Sequence, residues 1–235
     1  AGMDHTIWQQ QSRYLAHHGW NVFAVDLPGH GLSAGQPPES VTAGADWLTR
    51  FLDAAGLKKV ALIGHSLGAL ISLEAAGRYS EWVSKLALLG VTPKMPVHQD
   101  LLDAAMANEL VAGQLIVGWG FGKQAHRGGN IAPGMWMMGG GGRLIEHARP
   151  GVLGADLNAA NAYQGGLEAA GAMRCQTLLL LGAMDRMTPV KGAMALQEVI
   201  ANCRTEILPG AGHMMMIESP RETLKALATF LEADT

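Results

Sequence analysis

The sequence is short of cysteine, of net charge and of long apolar runs, and each shortage excludes a class of protein. Cys175 and Cys203 are the only cysteines, which predicts reduced, half-buried thiols rather than a disulfide-held scaffold. The formal charge is −3 without a basic stripe, so nucleic acid is not an expected partner. No apolar run reaches the ~18 residues that a membrane-spanning helix needs. The nine histidines lack metal-ligand spacing, so we expect no metal and no cofactor.

Length and composition favour a single globular domain. A chain of 235 residues with 49% apolar residues can bury a full α/β core, with a sub-domain inserted into it. No signal peptide is visible, so we expect a cytoplasmic protein with a small-molecule partner. The composition leaves a homo-oligomer open.

A glycine-serine motif is the most informative feature that is present. The β-prone residues 59–63 lead into the Gly64–Gly68 segment, GHSLG, and a helical pattern of small residues follows. Strand, sharp turn and helix are the context of a nucleophile elbow, which exposes a serine hydroxyl above a sheet. We expect Gly64 and Gly68 to leave room where a Cβ would collide with backbone. The alternative is an ordinary glycine-serine turn.

An acid and a base follow Ser66 in the order that such a nucleophile requires. Asp185 comes after the apolar run 177–182, and His213 comes after the short strand pattern 205–208. The carboxyl ends of parallel strands meet at one sheet edge, where open α/β sheets bind ligands. Taken alone, Asp185 is typical of a helix N-cap and His213 of a loop. Their order and their strand-end positions predict a Ser-His-Asp triad.

Four segments resemble motifs of the α/β-hydrolase superfamily, in its small capped esterase branch. Residues 26–33, DLPGHGLS, resemble the loop after that branch's fourth strand, and residues 64–68 match its elbow. Residues 182–185 resemble the acid loop and residues 210–213 the histidine loop. The resemblance covers nearly the whole chain except its middle third. It implies an α/β fold with a mostly parallel sheet, helices on both faces and an inserted helical cap.

The alternation of strand and helix patterns agrees with that fold class. The predicted strands lie at 21–25, 59–63, 85–89, 177–182 and 205–208, and the predicted helices at 6–18, 41–55, 67–79, 190–200 and 220–231. We therefore expect the hydrolase core to comprise residues 1–91 and 175–235, and the cap residues 92–174.

The cap region changes in composition toward Gly, Met and Trp. Helical patterns cover residues 100–112, 143–148 and 155–170, and four glycines at 139–142 are expected to break the stretch as a loop or hinge. The following apolar residues are candidates to line a substrate pocket: Trp119, Phe121, Met135, Trp136, Met137 and Met138. Their alternative role is the small core of the cap itself.

The resemblance implies a serine esterase. Ser66 would attack an ester carbonyl, His213 would carry the proton and Asp185 would orient the imidazole. The oxyanion would be held by the N–H of Leu67 and by a second donor in the segment of Ala1 and Gly2. His65 would support the triad from behind in this scheme, but we favour its alternative role as a packing residue.

An apolar cap favours a small or medium apolar acyl group. The same fold also hosts C–C bond hydrolases, lactonases, amidases and cofactor-free haloperoxidases, and a ligand-binding or receptor protein with little turnover stays open.

The resemblance also predicts an N-terminal extension of the natural protein. In the family, a strand before Ala1 would lie between the strands at 21–25 and 59–63. Without it, backbone groups at the sheet centre face a gap, which is costly when they are buried. We expect the 235 residues alone to be poorly stable and weakly active, and the upstream segment to raise both melting temperature and kcat.

Overall fold

Four parallel strands form the central sheet in the described part of the protein. The computed structural model describes residues 1–129 and 135–233. The strands, in spatial order, are β1 (Val60–His65), β2 (Val83–Leu89), β3 (Gln176–Gly182) and β4 (Cys203–Leu208). All three pairings are parallel, with Leu86 opposite Leu62 on one side and Thr177 on the other. The predicted parallel sheet is confirmed.

Helices cover both faces of this sheet. Their bounds are α1 Gln9–His17, α2 Val41–Ala54, α3 Leu67–Arg78, α4 Gln99–Met106, α5 Leu110–Gly120, α6 Lys123–His126, α7 Met137–His147, α8 Val152–Ala162, α9 Gly166–Ala172, α10 Val190–Val199, α11 Met215–Glu218 and α12 Pro220–Glu232. Leu178 and Leu180 belong to one apolar cluster and Leu179 to the other, because successive strand residues point to opposite faces. The two-sided burial explains the continuous leucine run of β3.

The strand predicted at residues 21–25 is wrong: this segment has no regular secondary structure. Phe23 is 56% exposed. A strand needs a hydrogen-bonded neighbour, and within the described ranges β1 pairs only with β2. A groove of about 810 Å³ lies at the outer edge of β1, lined by residues 19–25 on one side and 57–65 on the other. Segment 21–25 therefore lies outside the sheet.

The chain between β2 and β3 forms helices α4 to α9, which we call the helical insert. The predicted helix at 100–112 is two helices, α4 and α5, because Asn108 adopts a left-handed conformation between them with φ 57°. The predicted helix at 155–170 is likewise divided into α8 and α9.

The prediction that the four glycines at 139–142 break the stretch is wrong, because all four lie inside α7. A Cβ on Gly141 would come within 3.1 Å of the Phe121 ring, so the glycine lets α7 approach Phe121 closely. Close packing here outweighs the low helix propensity of glycine.

The cysteines, the helices and the potential metal ligands can be compared with the expectations from the sequence. Cys175 and Cys203 are free and half-buried, as predicted. Among the described residues, no helix has the length and apolar character to cross a bilayer. The same part of the chain contains no group of three or more His, Cys, Asp or Glu side chains placed to hold a metal ion.

Candidate active site

Ser66 occupies the sharp turn between β1 and α3. Its backbone has φ 53° and ψ −119°, a conformation that side chains rarely adopt. The Ser66 N–H donates to the Leu89 carbonyl at 3.0 Å, which ties the turn to β2. This is the geometry expected of a nucleophile elbow.

The two glycines of the elbow are not equivalent. A Cβ on Gly64 would overlap the Gly68 carbonyl oxygen and lie 2.7 Å from Ala69 Cα. A Cβ on Gly68 would meet nothing within 4 Å, because it points away from the turn into open space. The expectation that both glycines avoid a collision is therefore wrong for Gly68.

Asp185 and His213 meet beyond the ends of β3 and β4. Asp185 Oδ2 lies 2.8 Å from His213 Nδ1, and the two residues are 7% and 3% exposed. Asp185 Oδ1 accepts the N–H groups of Met187 and Thr188, both at 2.8 Å. Burial alone would raise the pKa of Asp185, but the charge and hydrogen bond of His213 and the bonds from Thr188 outweigh it and lower the pKa. The carboxylate is thus held ionised against the imidazole.

Thr188 belongs to this site and was missed in the sequence. Its hydroxyl donates to Asp185 Oδ2 at 2.6 Å and lies 3.2 Å from His213 Nδ1. The available signal was the Asp-x-x-Thr spacing, since an aspartate commonly accepts bonds from backbone two and three residues on. The Thr188 hydroxyl thus helps to orient the carboxylate oxygen of Asp185 that accepts from His213.

His65 holds the backbone of His213. Its Nε2–H donates to the His213 carbonyl at 2.8 Å, and the two ring centroids are 4.6 Å apart. Removal from water, together with the charge of His213, lowers the pKa of His65 well below its ordinary value. His65 therefore stays neutral, and it does more than the packing predicted for it.

The helical insert reaches the histidine loop directly. Gly120 at the end of α5 accepts the His213 N–H at 2.7 Å. Glu218, also missed in the sequence, accepts the N–H groups of Gly122 at 2.7 Å, Gly212 at 3.0 Å and Met214 at 3.2 Å. Burial raises the pKa of Glu218 despite these bonds. One carboxylate thus joins the insert to the loop that carries His213.

The sequence-predicted oxyanion donors lie in different environments. Leu67 is the first residue of α3, where helix N–H groups have no intrahelical partner. The Gly2 N–H, in contrast, donates to Asp156 Oδ2 at 2.7 Å, so the insert already engages it. Ala1 and Met3 line the same groove as Leu67.

The proposed pocket residues also differ in position. Trp119 is half-buried against the apolar cluster and its ring meets His98 edge-on. Met137 is buried and Met138 packs against the same cluster, whereas Trp136 is 73% exposed. Of the remaining candidates, Phe121 is buried and Met135 is exposed.

Sequence comparisons find relatives of this chain among hydrolases. The family model described as "Alpha/beta hydrolase family" matches residues 1–226. A pimeloyl-[acyl-carrier protein] methyl ester esterase of Chromobacterium violaceum is 28% identical, over 90% of this chain and 84% of the relative. A putative carbamate hydrolase, RutD, of Klebsiella pneumoniae is 30% identical, over 83% of this chain and 74% of the relative.

Solved structures share the fold. An esterase from Exiguobacterium antarcticum superimposes with a TM-score of 0.86 at 19% identity, covering 98% of this chain and 88% of its own. An enol-lactonase from Burkholderia xenovorans gives 0.86 at 18% identity, covering 99% and 88%. The family match and the names of the two sequence relatives agree with the hydrolase class expected from the sequence. The resemblance is confirmed: the chain belongs to the alpha/beta hydrolase family.

Proposed function

We propose that this protein is a serine esterase that cleaves carboxylic esters through an acyl-enzyme. The observation that carries the proposal is the buried 2.8 Å hydrogen bond between Asp185 and His213, at the sheet edge where Ser66 follows β1. A histidine oriented by an ionised carboxylate is the base that a serine hydroxyl needs. The relatives named as ester and carbamate hydrolases support the same carbonyl chemistry.

The residues have the following roles in this proposal. Ser66 Oγ forms a bond to the ester carbonyl carbon while His213 takes its proton. His213 then passes that proton to the departing alkoxide as the ester C–O bond breaks. Water repeats the sequence on the acyl-enzyme and returns the serine hydroxyl. Asp185 keeps the proton on His213 Nδ1 and stabilises the imidazolium, and the Leu67 N–H stabilises the oxyanion.

The helical insert serves as the cap in this proposal. It contacts the backbone of His213 through Gly120 and it carries the apolar side chains Trp119 and Met137. An apolar cover excludes water from the reacting atoms and favours an acyl group without charge. The proposed substrates are esters of small to medium apolar acids.

A panel of p-nitrophenyl esters of increasing acyl length tests the function. We expect steady turnover in the natural chain and loss of about 10³-fold or more of kcat in Ser66→Ala, because the acyl-enzyme cannot form. Ser84→Ala, which changes an exposed serine of β2, is the matched control. Preferred turnover of a lactone or a carbamate would reassign the substrate. Tight binding with at most one turnover would identify a receptor and refute the esterase.

Trp119 and Trp136 provide a test of the cap as the determinant of acyl length. We expect Trp119→Ala to shift the ranking toward longer acyl chains, because removing a half-buried ring enlarges the space beside the cluster. Trp136→Ala is the control, since its ring is 73% exposed. An unchanged ranking in Trp119→Ala with a lower melting temperature would show that Trp119 belongs only to the core of the cap.

A further inference from the structure

A second buried charge pair joins the helical insert to the core. Asp156 of α8 and His30, in the loop after residues 21–25, are 1% and 5% exposed. Asp156 Oδ2 lies 2.8 Å from His30 Nε2, and the other ring nitrogen, Nδ1, lies 3.0 Å from the Pro28 carbonyl. A carbonyl and an ionised carboxylate both accept, so each ring nitrogen must carry a proton to satisfy them. The geometry therefore describes an imidazolium paired with a carboxylate.

The charges around His30 agree with that protonation state. Burial alone would lower the pKa of His30, but the hydrogen bond and charge of Asp156 outweigh it and raise the pKa above its ordinary value. From the insert, the Arg149 guanidinium donates to the Gly31 carbonyl at 3.3 Å. Asp156 is the anion that holds the charge of His30.

The same carboxylate oxygen also fixes the segment that begins at Ala1. The Gly2 N–H donates to Asp156 Oδ2 at 2.7 Å. Further along, the His5 N–H donates to Asp26 Oδ1 at 2.7 Å. The side chain of Asp26 is 5% exposed. The segment between Gly2 and His5 is thus held at both ends by buried carboxylates.

The position of this segment matters because it lines the same groove as the two residues that flank Ser66. Ala1 and Met3 line the groove that Leu67 and His65 also line. Leu67 supplies the oxyanion donor in the proposed mechanism, so Ala1 and Met3, which form a wall of the same groove, affect the space for the carbonyl oxygen. Asp156, which belongs to the insert and is distant in sequence, holds this wall in place through the Gly2 N–H.

We propose that His30 and Asp156 are positioning residues that hold the Ala1–Met3 wall beside the elbow and lock the helical insert over it. The inference rests on the proposed esterase function. Seating of the insert and assembly of the oxyanion side of the site then become one event, since both depend on the same oxygen atom. A misplaced wall lowers kcat more than it raises KM, because the affected contacts tighten in the transition state.

Asp156→Asn tests the pair without changing its shape. The amide oxygen can still accept the Gly2 N–H, but the charge that keeps His30 protonated is gone. A neutral His30 has one N–H for its two acceptors. We expect kcat for p-nitrophenyl acetate to fall about tenfold to hundredfold, with KM changed by less than about threefold. Asp100→Asn, at an exposed carboxylate of the insert, is the matched control.

The pH profile separates positioning from mere stabilisation. Because the pKa of His30 is raised, the pair is intact below that value and is lost as pH rises through it. The natural chain should therefore show an alkaline fall in kcat, which Asp156→Asn moves to lower pH and His30→Gln abolishes. Rates are expressed per Ser66 that reacts with a fluorophosphonate probe, so unfolded molecules do not contribute.

The outcomes distinguish this inference from the proposed function. Absence of Ser66-dependent turnover in the natural chain would refute the esterase itself. Normal turnover, with unchanged kcat per labelled site and an unchanged pH profile in both Asp156→Asn and His30→Gln, would overturn the positioning role even if melting temperatures fell. A shifted alkaline limb in Asp156→Asn and its loss in His30→Gln would support it.

Discussion

Replacing Asp185 by asparagine is expected to lower kcat for ester hydrolysis by about 10³-fold or more while the fold persists. Asp185 Oδ2 accepts from both His213 Nδ1 and the Thr188 hydroxyl. An amide nitrogen at that position would donate toward two donors, and an amide oxygen would leave the imidazolium without a counter-charge. Steady-state kinetics on a short p-nitrophenyl ester measures the loss.

The double variant Ser66→Ala with Asp185→Asn should lose little more activity than Ser66→Ala alone, because the three residues act as a unit. Asp53→Asn, at an exposed carboxylate of α2, is the control and should keep full activity. Near-complete activity in Asp185→Asn would assign the orienting role to another residue.

Asp185→Asn should also change how the free energy of unfolding depends on pH in the acidic range. The folded-state pKa of Asp185 is lowered, so its carboxylate stabilises the fold above the unfolded-state pKa. That contribution is lost as pH falls through the lowered value. Asp185→Asn should therefore lose less stability between neutral and acidic pH than the natural chain does.

Gly64→Ala is expected to destabilise the protein by about 2–4 kcal/mol. The added Cβ would overlap the Gly68 carbonyl and lie 2.7 Å from Ala69 Cα, and both are backbone atoms of the first turn of α3. Backbone that is hydrogen-bonded on both sides cannot move aside as a flexible side chain can. Urea denaturation measures the change in the free energy of unfolding.

Gly68→Ala is the matched control within the same motif. Its Cβ would meet nothing within 4 Å, and alanine is favoured over glycine inside a helix by about 0.5–1 kcal/mol. We expect unchanged or slightly higher stability. Equal destabilisation by the two substitutions would contradict the asymmetry between these glycines.

The elements that the sequence predicted well are those with local signals. The leucine run of β3 and the glycine-serine turn at Ser66 can each be predicted from about ten consecutive residues. Most other helix and strand ends differ by only one or two residues, as the fraying of ends explains. The strand-end rule similarly anticipated that Asp185 and His213 lie close together.

The features that the sequence could not predict depend on distant contacts. His30 and Asp156 are far apart in sequence, and nothing local to either indicates the other. Gly141 of α7 packs closely against Phe121, which no local property of the glycine run indicates. Residues 21–25 have strand propensity, but a strand also needs a neighbour. Sequence patterns report local preference, whereas these three outcomes follow from packing.

The location of the helical insert has a consequence for how the chain folds and varies. It lies in the connection between β2 and β3, the two inner strands, so the pairing of Leu86 with Thr177 closes a long loop. Each doubling of such a loop costs only about 0.6 kcal/mol of closure entropy, whereas contacts between residues distant in sequence slow folding. Insertions and deletions in this connection are therefore expected to change the folding rate more than the free energy of unfolding. The connection can thus change in length while the sheet keeps its strand pairing.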